Sequence, residues 1–404
     1  MLKKYIRIEY LFIFLTIIWP AIGGRIGIDE AGRMSDMLMI ASWVSMLLQK
    51  SFLIKTLRSP IAISMGLWML YVLLQFTFMH SPSLDKDIFV HYFGLLKVFT
   101  IMIIVQWEIY KGRFPRLLNL LALSYAIYSI LAFLFIGTTV TFENRTTLNY
   151  INDPNDISFA ICLAWYLLLI KYFRRKYPLP LLIAASLVSV FIIIRLGCRT
   201  AFLEMLMIGT ALGLIIIKRT RYKLAFIIAA ITTIVVFLVI GDTFLESTMI
   251  GQRLAVTTEQ IDFNTGTVLD YFGDRGPFYY FGFLEFLKSP IWGIGLKNFG
   301  EKNVYHELAC HSEYMVNLAE TGIVGAVLFL SFIICLFVCM MKTSRKIVSF
   351  DRVLLWLCVY IPLMIALFFW TYDRSYIFVM YGMVGGYYLR SRFARRHVIL
   401  TKKN

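Results

Sequence analysis

The chain is organised by long apolar runs that alternate with polar connections. A helix of about 17–25 apolar residues crosses the roughly 30 Å hydrocarbon core of a bilayer. Twelve runs approach or exceed this length, at residues 8–22, 34–49, 61–79, 88–109, 117–137, 156–173, 179–194, 199–217, 224–241, 312–341, 353–371 and 375–390. The pattern predicts an all-α membrane protein with about twelve transmembrane helices.

One connection is much longer than the others. Residues 242–311 contain the run Phe278–Lys288, whose broad aromatic face is typical of a helix at the membrane interface. We therefore expect one large external loop that carries short amphipathic helices. The predicted division is nine transmembrane helices in 1–241, the external loop in 242–311, and three transmembrane helices with a basic tail in 312–404.

Composition and charge agree with this prediction. The chain is 59% hydrophobic and 16% charged, whereas soluble domains are about 45–50% apolar and about 25% charged. Soluble globular and disordered proteins are therefore excluded. Most of the 40 Lys and Arg residues fall in the two termini and in alternate connections, each with at least three cations.

This charge pattern follows the positive-inside rule. It places both termini in the cytoplasm and the 242–311 loop outside, and it explains the net charge of +16 without nucleic acid as a partner. Ala21-Ile22-Gly23 also resembles a signal-peptide cleavage site. The alternation of charges holds with the first run retained, which favours a transmembrane helix.

Several arginines lie on the predicted outer side although they oppose this rule. They are Arg25, Arg145, Arg195, Arg199, Arg275 and Arg374. One such residue is explained by snorkelling to the headgroups. Several together indicate an anion site, because guanidinium stays charged and donates paired hydrogen bonds to phosphate.

Short motifs follow one another between residues 145 and 325. Arg145 precedes Asp153-Pro154-Asn155-Asp156, and the segment Gly197-Cys198-Arg199-Thr200-Ala201 comes next. Arg275 precedes the amphipathic run, which ends in Pro290-Ile291-Trp292-Gly293-Ile294-Gly295. His311-Ser312-Glu313-Tyr314 then opens the tenth apolar run, which continues to Glu320-Thr321-Gly322.

This order of motifs resembles the O-antigen ligase/polymerase family of Wzy/WaaL-type membrane glycosyltransferases. Asp153 and Cys198 depart from the Asn and Ser that the family usually has. The resemblance implies an enzyme that moves glycan from an undecaprenyl-diphosphate carrier to a sugar hydroxyl, without metal, nucleotide sugar or other cofactor.

The resemblance also implies roles for individual residues. Arg199 and Arg275, helped by Arg145, would bind the diphosphate and neutralise charge as the anomeric bond breaks. His311 would accept the proton of the attacking hydroxyl, and its place at a helix N-terminus near arginines favours the neutral form. The expected supporting residues are Arg195, Asn155, Glu313 and Tyr314.

Location and partners follow from the same resemblance. We expect a multi-pass protein of the bacterial inner membrane with its active site facing the periplasm. A polymerase of O-antigen or capsular repeat units is favoured, and the alternative is the ligase that transfers O-antigen to lipid A-core. The acceptor is then a glycan or lipid A-core, and membrane lipid, a chain-length regulator and a flippase are further expected partners.

Two other functions are consistent with part of the sequence. Asp85-Lys86-Asp87 in an outer connection is a possible site for a divalent metal, as in other polytopic sugar transferases. The same acids are explained more simply as caps of the next helix, where the helix dipole favours them. A flippase or transporter suits twelve helices, but it needs no His between outer arginines.

Three further expectations concern an ion pair, a disulfide and the faces of the helix that follows His311. Lys97 lies within a run, and Glu204 is a candidate for its buried carboxylate partner. Cys198 and Cys310 form a disulfide if their motifs share one oxidising site. His311, Tyr314 and Leu318 share a helix face, whereas Glu313, Asn317 and Glu320 lie on another, so Glu320 is expected to satisfy a neighbouring helix rather than His311.

Overall fold

A computed structural model of the chain describes residues 7–26, 30–49, 51–56, 58–79, 86–135, 139–142, 145–148, 154–174, 178–219, 276–296, 298–299, 312–347, 349–368 and 374–401. The ninth predicted span and most of the 242–311 loop lie outside the described residues.

The described residues form helices and one short hairpin. The first elements are α1 (Ile8–Ile26), α2 (Glu30–Leu47), α3 (Phe52–Thr56), α4 (Pro60–Met79), α5 (Lys86–Tyr110), α6 (Phe114–Phe135), β1 (Thr139–Phe142) and β2 (Arg145–Leu148). They are followed by α7 (Pro154–Phe173), α8 (Leu179–Leu196), α9 (Arg199–Arg219), α10 (Gly276–Lys288), α11 (Glu313–Ser344), α12 (Ser349–Phe368) and α13 (Ser375–Thr401).

The helices coincide with the predicted spans wherever the structure describes them. Five are long and apolar enough to cross a membrane, over Tyr92–Tyr110, Phe114–Leu131, Asn155–Phe173, Glu313–Ser344 and Phe350–Leu367. Shorter apolar helices cover Ile8–Ile18, Met34–Leu47, Pro60–Gln75 and Pro180–Leu196. The prediction of a helical membrane protein is confirmed, and the total of twelve spans stays a prediction.

The apolar pattern predicted neither the short helix α3 nor the hairpin β1–β2. Its strands pair antiparallel, with Thr139 opposite Leu148 and Phe142 opposite Arg145. Threonine, valine and phenylalanine favour extended backbone because their side chains pack well on a pleated surface. The sequence Thr139-Val140-Thr141-Phe142 is therefore suited to a strand.

The chain forms two compact units. Unit 1 comprises Met1–Thr16, Arg33–Leu117 and Thr265–Asn404, and unit 2 comprises Ile17–Gly32 and Leu118–Asn264. The predicted three-part division of the chain stays a prediction beside this grouping.

Unit 1 is built on the packing of α5 against α13 and of α4 against α11. Glycines on α13 let α5 approach closely. A Cβ at Gly382 would meet Val105, and one at Gly385 or Gly386 would meet Gln106. Small residues are common at contacts between membrane helices for this reason, since close backbone approach increases van der Waals contact.

Unit 2 is centred on α7, which contacts α8, α9 and β2. Its side chains are buried on all faces, including Ile157, Phe159, Ile161, Cys162 and Tyr166. A helix that is apolar all round is typical of the interior of a bundle. This explains why the sixth predicted span has no polar face.

The expected pairing of Lys97 with Glu204 is wrong. Lys97 Nζ lies 2.7 Å from Asp36 Oδ1, so α5 forms its ion pair with α2 inside unit 1. Glu204 belongs to unit 2, where it is buried near Cys162. The partner of Lys97 depends on which helices are neighbours. The positions of two residues within predicted spans do not reveal this.

Candidate active site

Helix α11 is interrupted where the Glu-Thr-Gly motif ends. Gly322 has φ 63° and ψ −168°, so the backbone leaves the helical conformation there and resumes it afterwards. A positive φ is readily accessible to glycine and costly for other residues. The break leaves carbonyls before Gly322 and amides after it without helical partners.

The segment that follows α10 supplies those partners. The amides of Ile294 and Gly295 donate to the carbonyls of Ala319 and Glu320, at 3.0 and 2.8 Å. In return, the amide of Ile323 donates to the Pro290 carbonyl at 2.8 Å. We call residues 290–295 and 319–324 together the backbone clasp.

Helix α4 completes the clasp with two side chains. Gln75 Nε2 donates to the carbonyls of Trp292 and Glu320, at 2.6 and 2.7 Å. The Tyr71 hydroxyl lies 2.8 Å from the Thr321 carbonyl. Non-helical backbone at membrane depth is tolerated where protein groups satisfy its hydrogen bonds, and these two residues meet that requirement.

Close backbone contact explains both glycines of the clasp. A Cβ at Gly293, whose φ is 76°, would overlap the Glu320 carbonyl. A Cβ at Gly322 would overlap the Ile291 carbonyl. The Gly-x-Gly turn and the Glu-Thr-Gly end of the motif therefore contact each other directly, although Gly293 and Gly322 are 29 residues apart in the sequence.

A buried polar row runs from the start of α11 to the clasp. Asn317 Nδ2 donates to Glu313 Oε1 at 2.7 Å, and Thr321 Oγ1 donates to the Asn317 carbonyl at 2.6 Å. Glu313 is fully buried. The expected face of Glu313, Asn317 and Glu320 is confirmed as a buried face, which fixes the first turns of α11.

Glu320 has the kind of role that helical spacing indicates. Its Oε1 accepts a hydrogen bond from the Phe299 amide at 3.3 Å, and its side chain is buried. It therefore binds the segment beyond the Gly-x-Gly turn. The same residue contributes its carbonyl to the clasp, so side chain and backbone hold the same segment.

The starts of α10 and α11 meet at the end of α12. The Tyr279 hydroxyl donates to the Leu367 carbonyl at 3.1 Å, and the Tyr314 hydroxyl lies 3.5 Å from the Leu363 carbonyl. These two carbonyls are one helical turn apart. In the sequence, Arg275 directly precedes α10, and His311 is separated from α11 only by Ser312.

The two residues with the central predicted roles lie just outside the described residues. Neither His311 nor Arg275 is described, and the expected partner Cys310 is likewise outside. Ser312 begins α11 in extended conformation and is buried. The roles of His311 and Arg275 and the disulfide of Cys198 with Cys310 stay predictions.

Unit 2 carries the other predicted binding residues. Asn155 is half-buried in the first turn of α7, and Arg199 is half-buried at the start of α9. Arg195 is exposed in the last turn of α8. Arg145 begins β2, which contacts both α7 and α8.

One side-chain hydrogen bond shows which residues of α7 and α8 lie side by side. Trp165 Nε1 donates to Ser186 Oγ at 2.8 Å. Asn155 precedes Trp165, and Arg195 follows Ser186, each by between two and three turns. Because a short connection joins these helices antiparallel, Asn155 and Arg195 lie at one end of unit 2, and Arg199 is one turn beyond Arg195 along the chain.

The acidic residues of the alternative metal site lie at a helix start. Helix α5 begins at Lys86, so Asp87 is in its first turn, while Asp85 is outside the described residues. Among the described side chains, no group of three or more His, Cys, Asp or Glu residues is placed to hold a metal ion.

A family model described as O-antigen ligase (Wzy_C) matches residues 184–330. This match supports the resemblance to the O-antigen ligase/polymerase family. The comparison with curated proteins found no match.

The O-antigen ligase match begins inside α8 and ends inside α11. It therefore includes Arg199, Arg275 and His311 together with both sides of the backbone clasp. Tyr71 and Gln75 lie outside it, on α4, and were not found from the sequence. The sequence contains one indication of this contact, which is a glutamine within the apolar run 61–79. A polar side chain in a membrane span requires a hydrogen-bond partner.

Proposed function

We propose that this protein is a glycosyltransferase of the O-antigen ligase/polymerase type, which transfers glycan from an undecaprenyl-diphosphate carrier to an acceptor sugar hydroxyl. The observation that carries the proposal is the meeting of the starts of α10 and α11 at the end of α12, through Tyr279 and Tyr314. Both helix starts fall within the family match, and each lies within two residues of a residue expected to act on substrate, Arg275 before α10 and His311 before α11.

The proposed reaction forms one bond and breaks one. The acceptor hydroxyl attacks the anomeric carbon of the donor glycan, and His311 takes the hydroxyl proton. The bond between that carbon and the phosphate oxygen breaks, and undecaprenyl diphosphate leaves with its electron pair. Arg199, Arg275 and Arg145 stabilise the negative charge that develops on the diphosphate.

The supporting residues have distinct places in this proposal. Arg195 and Asn155 lie at the same end of unit 2 as Arg199, where they would bind further oxygens of the diphosphate or glycan. Glu313 and Tyr314 would position His311 rather than contact substrate, because their hydrogen bonds hold the first turn of α11, which follows His311 in the sequence. No metal or other cofactor takes part in the proposed reaction.

We further propose that the product is a polymer of O-antigen or capsular repeat units. The donor would be the growing chain and the acceptor the next carrier-linked repeat unit, at the periplasmic face of the bacterial inner membrane. Expected neighbours are a flippase that delivers repeat units and a chain-length regulator. The second candidate is the ligase that transfers finished glycan to lipid A-core, which the description of the matching family favours.

A gel profile of surface polysaccharide from a deletion strain distinguishes these functions. Lipid A-core that bears a single repeat unit identifies a polymerase. Bare core with long polymer on the carrier identifies the ligase. If repeat units stay on the cytoplasmic side of the membrane instead, the protein is a transporter and the proposal is wrong.

A further inference from the structure

Three cations converge on one aromatic side chain at the end of unit 1 opposite the candidate active site. Lys55 Nζ lies 4.1 Å from the centre of the Phe393 ring. The guanidinium carbons of Arg58 and Arg392 lie 5.6 and 5.9 Å from the same centre. We call Lys55, Arg58 and Arg392 the cationic cluster.

The cluster is held in place by aromatic and backbone contacts. The Phe393 ring is buried and packs edge-on against Tyr110 at 6.0 Å, and Lys55 also lies over Tyr110. Arg392 Nη1 lies 3.4 Å from the Arg58 carbonyl, which joins α13 to the turn before α4. The three charges therefore share a fixed site rather than three independent surface positions.

No carboxylate neutralises this cluster among the described residues. The nearby Glu108 is buried and contacts Arg7, Arg113 and Tyr10. Glu9 accepts hydrogen bonds from Ser45 and Gln49. Aromatic rings attract cations only weakly at exposed sites, so three like charges at this spacing favour a bound anion.

The surroundings of the cluster indicate an anion that carries acyl chains. On the short helix α3, Leu53 and Ile54 directly precede Lys55 and are 51% and 58% exposed. Exposed apolar side chains beside cations are typical of segments that lie at a membrane surface. By the positive-inside pattern this end of unit 1 faces the cytoplasm, where the leaflet contains anionic headgroups.

We propose that the cationic cluster binds the phosphate of an anionic phospholipid, with its acyl chains against Leu53 and Ile54. Arg58 and Arg392 are exposed and donate to the phosphate oxygens, and Lys55 contributes a point charge. The cationic cluster takes no part in the proposed glycan transfer, so the lipid-binding proposal does not depend on that reaction.

Native mass spectrometry of the full-length protein, with added phosphatidylglycerol, phosphatidylcholine or inorganic phosphate, tests this site. The test variant is Lys55→Gln/Arg58→Gln/Arg392→Gln. The matched control is Lys342→Gln/Arg345→Gln/Lys346→Gln, which removes three exposed cations near the end of α11. Each single substitution in the cluster is measured too, so that the test does not depend on one variant folding.

A basic residue beside an anionic headgroup contributes roughly fivefold to binding. We expect the test variant to lose affinity for phosphatidylglycerol by roughly a hundredfold, each single variant to lose part of it, and the control to keep it. Equal losses in test and control variants would show general surface attraction and overturn the proposal. So would inorganic phosphate that binds the wild type as tightly as phosphatidylglycerol, because a free anion would then be the ligand.

Discussion

At the residue scale, the polar side chains inside unit 1 have specific partners. Gln75 is the clearest case, because one side-chain amide donates to two carbonyls on opposite sides of the backbone clasp. The Gln75 side chain is buried, so water does not readily replace it as a donor to these carbonyls. The role of Gln75 is therefore to hold irregular backbone together.

Replacement of Gln75 by leucine should lower the free energy of unfolding by about 1–2 kcal/mol. The Trp292 and Glu320 carbonyls keep other donors, which limits the loss. The matched control is Thr77→Val, because among the described residues the exposed Thr77 hydroxyl donates to the Leu73 carbonyl of its own helix. Thermal unfolding of both purified variants in lipid nanodiscs compares them, and equal stability of the two would contradict the role of Gln75.

The ion pair of Lys97 with Asp36 allows a second test at this scale. A double-mutant cycle with Lys97→Met and Asp36→Asn should give a coupling energy of about 0.5–3 kcal/mol in the free energy of unfolding. The same cycle with Glu204→Gln in place of Asp36→Asn should give no coupling. Coupling of Lys97 to Glu204 alone would contradict the observed pairing.

At the element scale, the break in α11 is the feature that organises the candidate active site. The clasp joins α10 to α11 by backbone hydrogen bonds, and Tyr279 and Tyr314 join the starts of both helices to α12. Helices α10 and α11 are therefore joined to each other at the clasp and to α12 at their first turns. This arrangement fixes the first turns of α10 and α11 relative to the end of α12.

Gly322→Ala should abolish stable folding of this region. Its methyl group would overlap the Ile291 carbonyl at a positive φ, and the cost should exceed about 3 kcal/mol. Gly66→Ala in α4 is the control, because the nearest atom to its Cβ would be Phe99 Cζ at 3.9 Å. The yield of monodisperse protein after purification should fall for Gly322→Ala only, and a normal yield of that variant would show that the clasp is not required.

Tyr279→Phe removes one hydroxyl from the meeting point of α10 and α12. We expect about fivefold slower glycan transfer with unchanged thermal stability, because one hydrogen bond that positions α10 is lost. The control is the neighbouring Tyr280→Phe, because the Tyr280 side chain is 46% exposed. If the two variants transfer glycan at equal rates, the Tyr279 contact has no part in positioning the site.

At the scale of the whole molecule, the sequence predicted the helices better than their contacts. Apolar runs are detectable one at a time, because each must cross the bilayer by itself. The clasp depends on Gly293 meeting Gly322 and on Gln75 from a distant helix, and no local pattern contains such contacts. The same limit explains the wrong partner of Lys97 and the unpredicted hairpin β1–β2.

For the candidate site, the sequence indicated the proposed substrate-contacting residues but not the residues that hold the helices around them. Family motifs indicated Arg199, Arg275 and His311 without any knowledge of helix neighbours. They did not reveal Tyr279, which has no charge or special spacing to distinguish it among the aromatic residues of α10. The residues proposed to act on substrate therefore left a stronger sequence signal than the residues that contact their neighbouring helices.

The most direct test of the proposed chemistry is transfer by the purified full-length protein in lipid nanodiscs, with an undecaprenyl-diphosphate-linked repeat unit as substrate. We predict that the wild type forms polymer in the presence of a chelator, that His311→Ala slows transfer by at least about a hundredfold, and that His306→Ala, a nearby histidine without a proposed role, retains activity. Transfer by His311→Ala at the wild-type rate would contradict the central claim that His311 is the general base.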